Sequence, residues 1–77
     1  MNSKIQEIMA QAFEVPVKDI TVNSTQDNID NWDSIHHIKM IVFLERAFDI
    51  TIPDEDVGKM VGYKLIELVV NKCINET

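Results

Sequence analysis

Three stretches of this 77-residue chain set their apolar residues at helical spacing, which leaves little freedom to fold as anything but packed helices. In "NSKIQEIMAQAF", Ile5, Ile8, Met9, Ala12 and Phe13 follow i, i+3, i+4, i+7 and i+8, and Ser3 and Gln6 have capping-box spacing. Pro16 then breaks the helix. A second helix is predicted from Ile35 to Phe48, burying Ile38, Ile41, Val42, Leu44 and Phe48. The last, "GYKLIELVVNKCI", turns Leu65, Ile66, Val69, Val70 and Cys73 inward. Between these two, Ile50 and Ile52 alternate until Pro53 stops any strand. Asp54, Glu55 and Asp56 then crowd the first turn of a short helix, where the helix dipole favours acids. Gly58 disfavours extending that helix beyond a turn or two. Two glycines and two prolines are too few for a hairpin-rich β fold.

Glu14 to Asp33 forms a connection of about twenty residues, uncommon inside a compact domain and often functional. Val15, Val17, Ile20, Val22 and Ile29 dot it with apolar anchors, so it is expected to pack across the helices. The predicted fold is all-α: a small four-helix bundle with a long first loop and a short third helix, one domain over residues 1–77. Ile38, Ile41, Val42, Leu44, Ile52, Val57 and Leu65 are its predicted core.

So small a chain buries only about 60% of its unfolded surface, leaving little room for a water-excluding catalytic cleft. Thirteen acids against seven bases give a net charge of −6 with no Lys/Arg cluster, which argues against nucleic acid as a partner. Cys73 stands alone and cannot form an internal disulfide, which fits a reducing, cytoplasmic setting. "MNSKIQE" lacks the apolar run of a signal peptide, and no segment approaches about 18 consecutive apolar residues. A soluble monomer without membrane insertion is expected.

The polar cluster ahead of the second helix raises a question of chemistry: what does Ser34 do? Asp33 and Ser34 are near-equal candidates for the N-cap. If Asp33 caps, the Ser34 hydroxyl is left exposed and unused. Asp33, Ser34 and His37 could share one side of a helix, the spacing of a hydrolytic constellation. Against catalysis stand the missing G-x-S-x-G elbow and the absence of any evident oxyanion hole. Metal binding fares no better. Adjacent His36 and His37 point about 100° apart on a helix and cannot chelate together, which leaves Asp33 and His37 as a two-ligand fragment. Both histidines read as members of a solvated helix face. The remaining reading is a covalent handle: a phosphodiester on Ser34 would sit at the positive end of the helix dipole, a natural anion site.

The stretch "DNWDSIHHIKMIVFLERAFDITIPDEDV" resembles the core of the acyl carrier proteins, which carry 4′-phosphopantetheine on the serine of a D-S-L motif. Here that motif reads Asp33-Ser34-Ile35, and Ile20, Thr25 and Trp32 also fit the family pattern. The resemblance implies that a phosphopantetheinyl transferase, using Mg²⁺, moves the arm from coenzyme A onto Ser34, with Asp33 and Ile35 as flanking recognition residues. It further implies that the arm's thiol holds acyl or aminoacyl groups as thioesters, that loading and acyl-transfer enzymes are the partners, and that the chain itself catalyses nothing. One departure stands out. Fatty-acid-synthase carriers of this family show an acidic second helix, whereas this one carries His36, His37, Lys39 and Arg46 against Glu45 alone. That favours a carrier in a specialised pathway (polyketide, nonribosomal peptide or similar) over the housekeeping one. The other alternative is an interaction domain of the same fold without the arm.

Overall fold

Asn2 opens the first helix. In the computed structural model, which describes residues 1–75, its Oδ1 accepts the N–H groups of Lys4 and Ile5 at 3.0 and 3.1 Å. Helix α1 therefore spans Ser3–Phe13, and the expected Ser3–Gln6 capping box does not form. Gln6 instead sends Nε2 to the carbonyls of Val17 and Ile20, at 3.0 and 2.9 Å, holding the start of the long loop against the helix. The helix ends at Glu14 in the left-handed conformation, φ 59°, with the N–H groups of Glu14 and Val15 both returning to the Ala10 carbonyl.

The long loop is pinned at several points. It contains a single 3-10 turn, Val17–Asp19, after which Ile20 and later Ile29 are buried in the core. Val17 and Val22 stay largely exposed, so the anchoring expected of them does not occur. Asn31 Nδ2 donates to the Phe13 carbonyl at 2.7 Å, fastening the loop's far end to the end of α1. In between, the loop pairs by backbone with the chain after the third helix. Gln26 N–H donates to Val61 O, Tyr63 N–H donates to Ser24 O, and Thr25 bridges Gly62 antiparallel. A Cβ at Gly62 would stand 3.2 Å from Ser24 O, which explains the glycine there.

Helix α2 spans Ser34–Phe48, α3 Asp54–Val57 and α4 Tyr63–Asn75. Ile50 and Ile52 are buried between α2 and α3, and Glu45 accepts the Ile52 N–H at 2.9 Å. Among the described residues there is no strand, and the architecture is the predicted all-α bundle with four helices and a short third one.

One cluster forms the core. Ile5, Met9 and Phe13 of α1 meet Met40 and Leu44 of α2 and Tyr63, Ile66 and Val70 of α4, all essentially inaccessible. Of the predicted core, Ile41, Leu44 and Ile52 are buried, while Val42 and Val57 are only half-buried. Ile38 and Leu65 are exposed, at 54% and 42%. The buried stripe of α2 is centred on Met40 and Leu44, and that of α4 on Tyr63, Ile66, Val70 and Cys73. Between α3 and α4, Lys72 Nζ meets the buried carboxylate of Asp56 at 3.0 Å.

Candidate functional site

The cap question resolves in favour of Asp33. Its backbone is extended and its Oδ1 accepts the His36 N–H at 2.9 Å, so Ser34 becomes the first residue of α2. Ser34 is exposed, and among the described residues nothing is hydrogen-bonded to its Oγ. A fifteen-residue helix packed on the core by Met40 and Leu44 thus presents a free hydroxyl at its positive end. Next to it, Ile35 is 78% exposed, and Ile35, Ile38 and Val42 make an apolar stripe along the outer face of α2.

Ser34 lies on the edge of an open cleft of about 390 Å³. Trp32, His37 and Ile38 line it from the α2 end, and Gly58 and Val61 line it from the chain linking α3 to α4. Trp32 packs on Phe13 with ring centroids 4.4 Å apart. Its indole N–H donates to His37 Nδ1 at 2.9 Å. Because an indole nitrogen can only donate, Nδ1 is the unprotonated nitrogen, and the ring's proton lies on Nε2. From there it is donated to the Val57 carbonyl at 2.7 Å.

His36 has a separate set of partners. Its Nδ1 lies 2.7 Å from Asp33 Oδ1 and its Nε2 lies 3.1 Å from Glu14 Oε2. Hydrogen bonding to the Asp33 carboxylate, and then to Glu14, raises its pKa above the ordinary imidazole value. The Asp33 carboxyl is lowered in turn, first by the His36 backbone N–H and then by the His36 ring. Lys39 Nζ stands 3.9 Å from the same Glu14 oxygen. Neither histidine belongs to a freely solvated face, as the sequence had suggested. One is a bridge between carboxylates, the other a link between chain segments.

This arrangement disassembles the hydrolytic constellation. Asp33 engages His36 instead of His37, and both nitrogens of His37 are occupied, so neither Asp33 nor His37 serves Ser34 as a base. Among the described residues no group of three or more His, Cys, Asp or Glu side chains could hold a metal ion, and no helix is long and apolar enough to cross a membrane. The sequence reading missed the pairing of Trp32 with His37 and the role of Glu14 as counter-charge to α2. Four residues and a helix start separate Trp32 from His37, and no periodicity links them. Glu14 meets α2 from the left-handed turn that ends α1.

No protein-family model matches the sequence. Solved structures do resemble it. The solution structure of holo acyl carrier protein from Geobacter metallireducens superposes with a TM-score of 0.82 and 25% identity, covering 95% of this chain and 84% of that one. A chain of the ishigamide ketosynthase/chain length factor structure superposes with a TM-score of 0.75 and 23% identity, covering 95% and 92%. The fold is that of the acyl carrier proteins.

Proposed function

We propose that this chain is a thioester carrier and that Ser34 Oγ is the attachment point of its 4′-phosphopantetheine arm. The observation that carries the proposal is the Ser34 hydroxyl: exposed, unbonded and rigidly held at the start of α2, in a chain with the acyl-carrier-protein fold. The residues present suit the group. A phosphodiester at Ser34 would face the positive end of α2, and the one carboxylate beside it, Asp33, is already bonded to the His36 N–H and ring. When attached, the arm supplies a terminal thiol on which acyl or aminoacyl groups ride as thioesters.

The chain's own part in modification is to present the nucleophile. A new bond forms between Ser34 Oγ and the phosphorus of coenzyme A as the phosphoanhydride bond breaks and adenosine bisphosphate leaves. The hydroxyl proton must pass to a base of the transferase, since Asp33 and His37 are both occupied. The exposed stripe of Ile35, Ile38 and Val42 supplies an apolar docking strip for loading and transfer enzymes. Its charged margin is cationic, with Lys39 and Arg46 against Glu45, the helix's single carboxylate, which accepts the Ile52 N–H. That supports partners from a specialised pathway over those of housekeeping fatty-acid synthesis.

The test is mass spectrometry after incubation with coenzyme A, Mg²⁺ and a promiscuous phosphopantetheinyl transferase. Wild-type protein gains the mass of one phosphopantetheine and Ser34→Ala gains none. An unchanged wild-type mass would leave an interaction domain of carrier fold, and a modified Ser34→Ala protein would place the arm elsewhere.

A further inference from the structure

His37 is the one side chain among the described residues that hydrogen-bonds both to the chain ahead of α2 and to α3. It accepts from Trp32, which lines the Ser34 cleft, and donates to the Val57 carbonyl, one residue before Gly58 of the cleft lining. Its bond to Val57 is also the one side-chain hydrogen bond that joins α2 to α3 among the described residues. Trp32, His37 and Ser34 all line the cleft, so the geometry of this clasp is the geometry of the site.

We infer that His37 is a positioning residue that clasps the Ser34 cleft only in its neutral, Nε2–H form, and that acid releases the clasp on the Trp32 side alone. The asymmetry follows from the two bonds. A proton added to the ring can go only to Nδ1, where it would face the indole N–H, donor against donor, at 2.9 Å. That contact must break. The bond from Nε2–H to Val57 needs no rearrangement and gains strength when its donor becomes charged. Acidification therefore frees Trp32, half-buried against Phe13, while α3 stays fastened to α2.

Neighbouring groups leave this behaviour to His37. Of the residues lining the cleft, His37 and Asp33 carry the titratable side chains, and the Asp33 carboxylate is bonded to His36. On α3, Asp56 adjoins Val57, and its carboxylate is held by Lys72 of α4. Gln26 and Trp32 are uncharged, as is Phe13 behind the indole. The consequence for an attached arm rests on the carrier reading: one wall of its cleft would be firm at neutral pH and loose in acid. The clasp itself does not depend on that reading.

The chain has one tryptophan, so a single indole N–H resonance reports on the clasp directly. The experiment is NMR on the unmodified protein labelled with ¹⁵N, titrated between about pH 8 and 5, where imidazoles change charge. At the alkaline end the His37 ring should show a protonated Nε2 and a bare Nδ1. On acidification the indole resonance should move in step with the His37 ring signals, while the amides of α3 keep their shifts. In His36→Gln the indole should still move. In His37→Gln, whose amide cannot take up the proton, it should not. An Nδ1–H tautomer, an indole resonance that ignores the titration, or one that moves equally in His37→Gln overturns the inference. Simultaneous loss of the α3 shifts would overturn its one-sidedness. If His37→Gln fails to fold, the wild-type ring and indole titrations decide by themselves. Neither coenzyme A nor a transferase is present, so the result stands or falls separately from the modification of Ser34.

Discussion

His36 sits between two carboxylates, and its ionisation is coupled to both. Its pKa is raised in the folded chain, so the stability it contributes is present below the unfolded value of 6.5 and fades as pH rises through the folded value. Asp33 has the opposite sign: its carboxyl is lowered, so its contribution is present above the unfolded value of 3.8 and fades as pH falls through the folded one. Both groups are solvent-accessible and screened, so the effect is small. Thermal melts of wild type and His36→Gln across this range should show a difference that is largest in mildly acidic solution and shrinks toward alkaline pH. A difference independent of pH would assign the His36 effect to packing. Backbone strain offers a second residue-scale prediction. Asp49 closes α2 at φ 53°, a left-handed conformation that costs a non-glycine residue about 1–2 kcal/mol. Asp49→Gly removes that strain and gives part of it back in unfolded-chain entropy, so a net gain of about 0.5–1 kcal/mol is expected in denaturant unfolding.

At the scale of elements, α2 shows where the sequence was legible and where it was not. Its existence, its limits to within one residue and the helical partner stripe on α1 all follow from spacing, because Ile5, Ile8, Met9, Ala12 and Phe13 are buried as their periodicity requires. Which face of α2 turns inward does not follow. Apolar residues surround that helix, from Ile35 and Ile38 through Met40, Ile41, Val42, Phe43 and Leu44, so periodicity alone cannot choose a side. The choice is made by tertiary contacts that spacing does not encode, among them His37 with Trp32 and Val57. A similar ambiguity placed Leu65 beside Ile66 on the inner stripe of α4, where Ile66 is buried but Tyr63, not Leu65, accompanies it. The candidate site divides the same way: Ser34 could be named from its motif, but its freedom from hydrogen bonds depends on Asp33 taking the cap. Paired substitutions measure the face directly. Leu44→Ala, at a fully buried site, should cost about 2–5 kcal/mol, while Ile38→Ala on the outer face should cost well under 1 kcal/mol in denaturant unfolding. Equal losses would mean that α2 is rotated from the orientation described.

Over the whole molecule, a chain of net charge −6 keeps an uncharged-to-cationic strip along the outer face of its second helix. Lys39 and Arg46 line it, and Glu45 is withdrawn to the Ile52 N–H. Glu14 partly offsets the strip, lying 3.1 Å from His36 and 3.9 Å from Lys39 at the end nearest Ser34. If this face selects partners, it should dock poorly with enzymes shaped to grip carboxylates. Lys39→Glu with Arg46→Glu should then raise the rate of acyl transfer by such an enzyme, acting on association more than on the chemical step. The gain should be largest at low ionic strength, because the Debye length shortens from roughly 30 Å at 0.01 M to about 8 Å at 0.15 M salt. Glu14→Gln should act in the opposite direction, since it uncovers Lys39 and the His36 ring without touching α2. The measurement is acylation kinetics of the modified carrier with a housekeeping transfer enzyme, for wild type, the double variant and Glu14→Gln, across ionic strength. Opposed, salt-sensitive shifts in the two variants would establish that charge on this face sets the partner. Equal rates at every salt concentration would remove the physical support for a specialised pathway and return the housekeeping reading to first place.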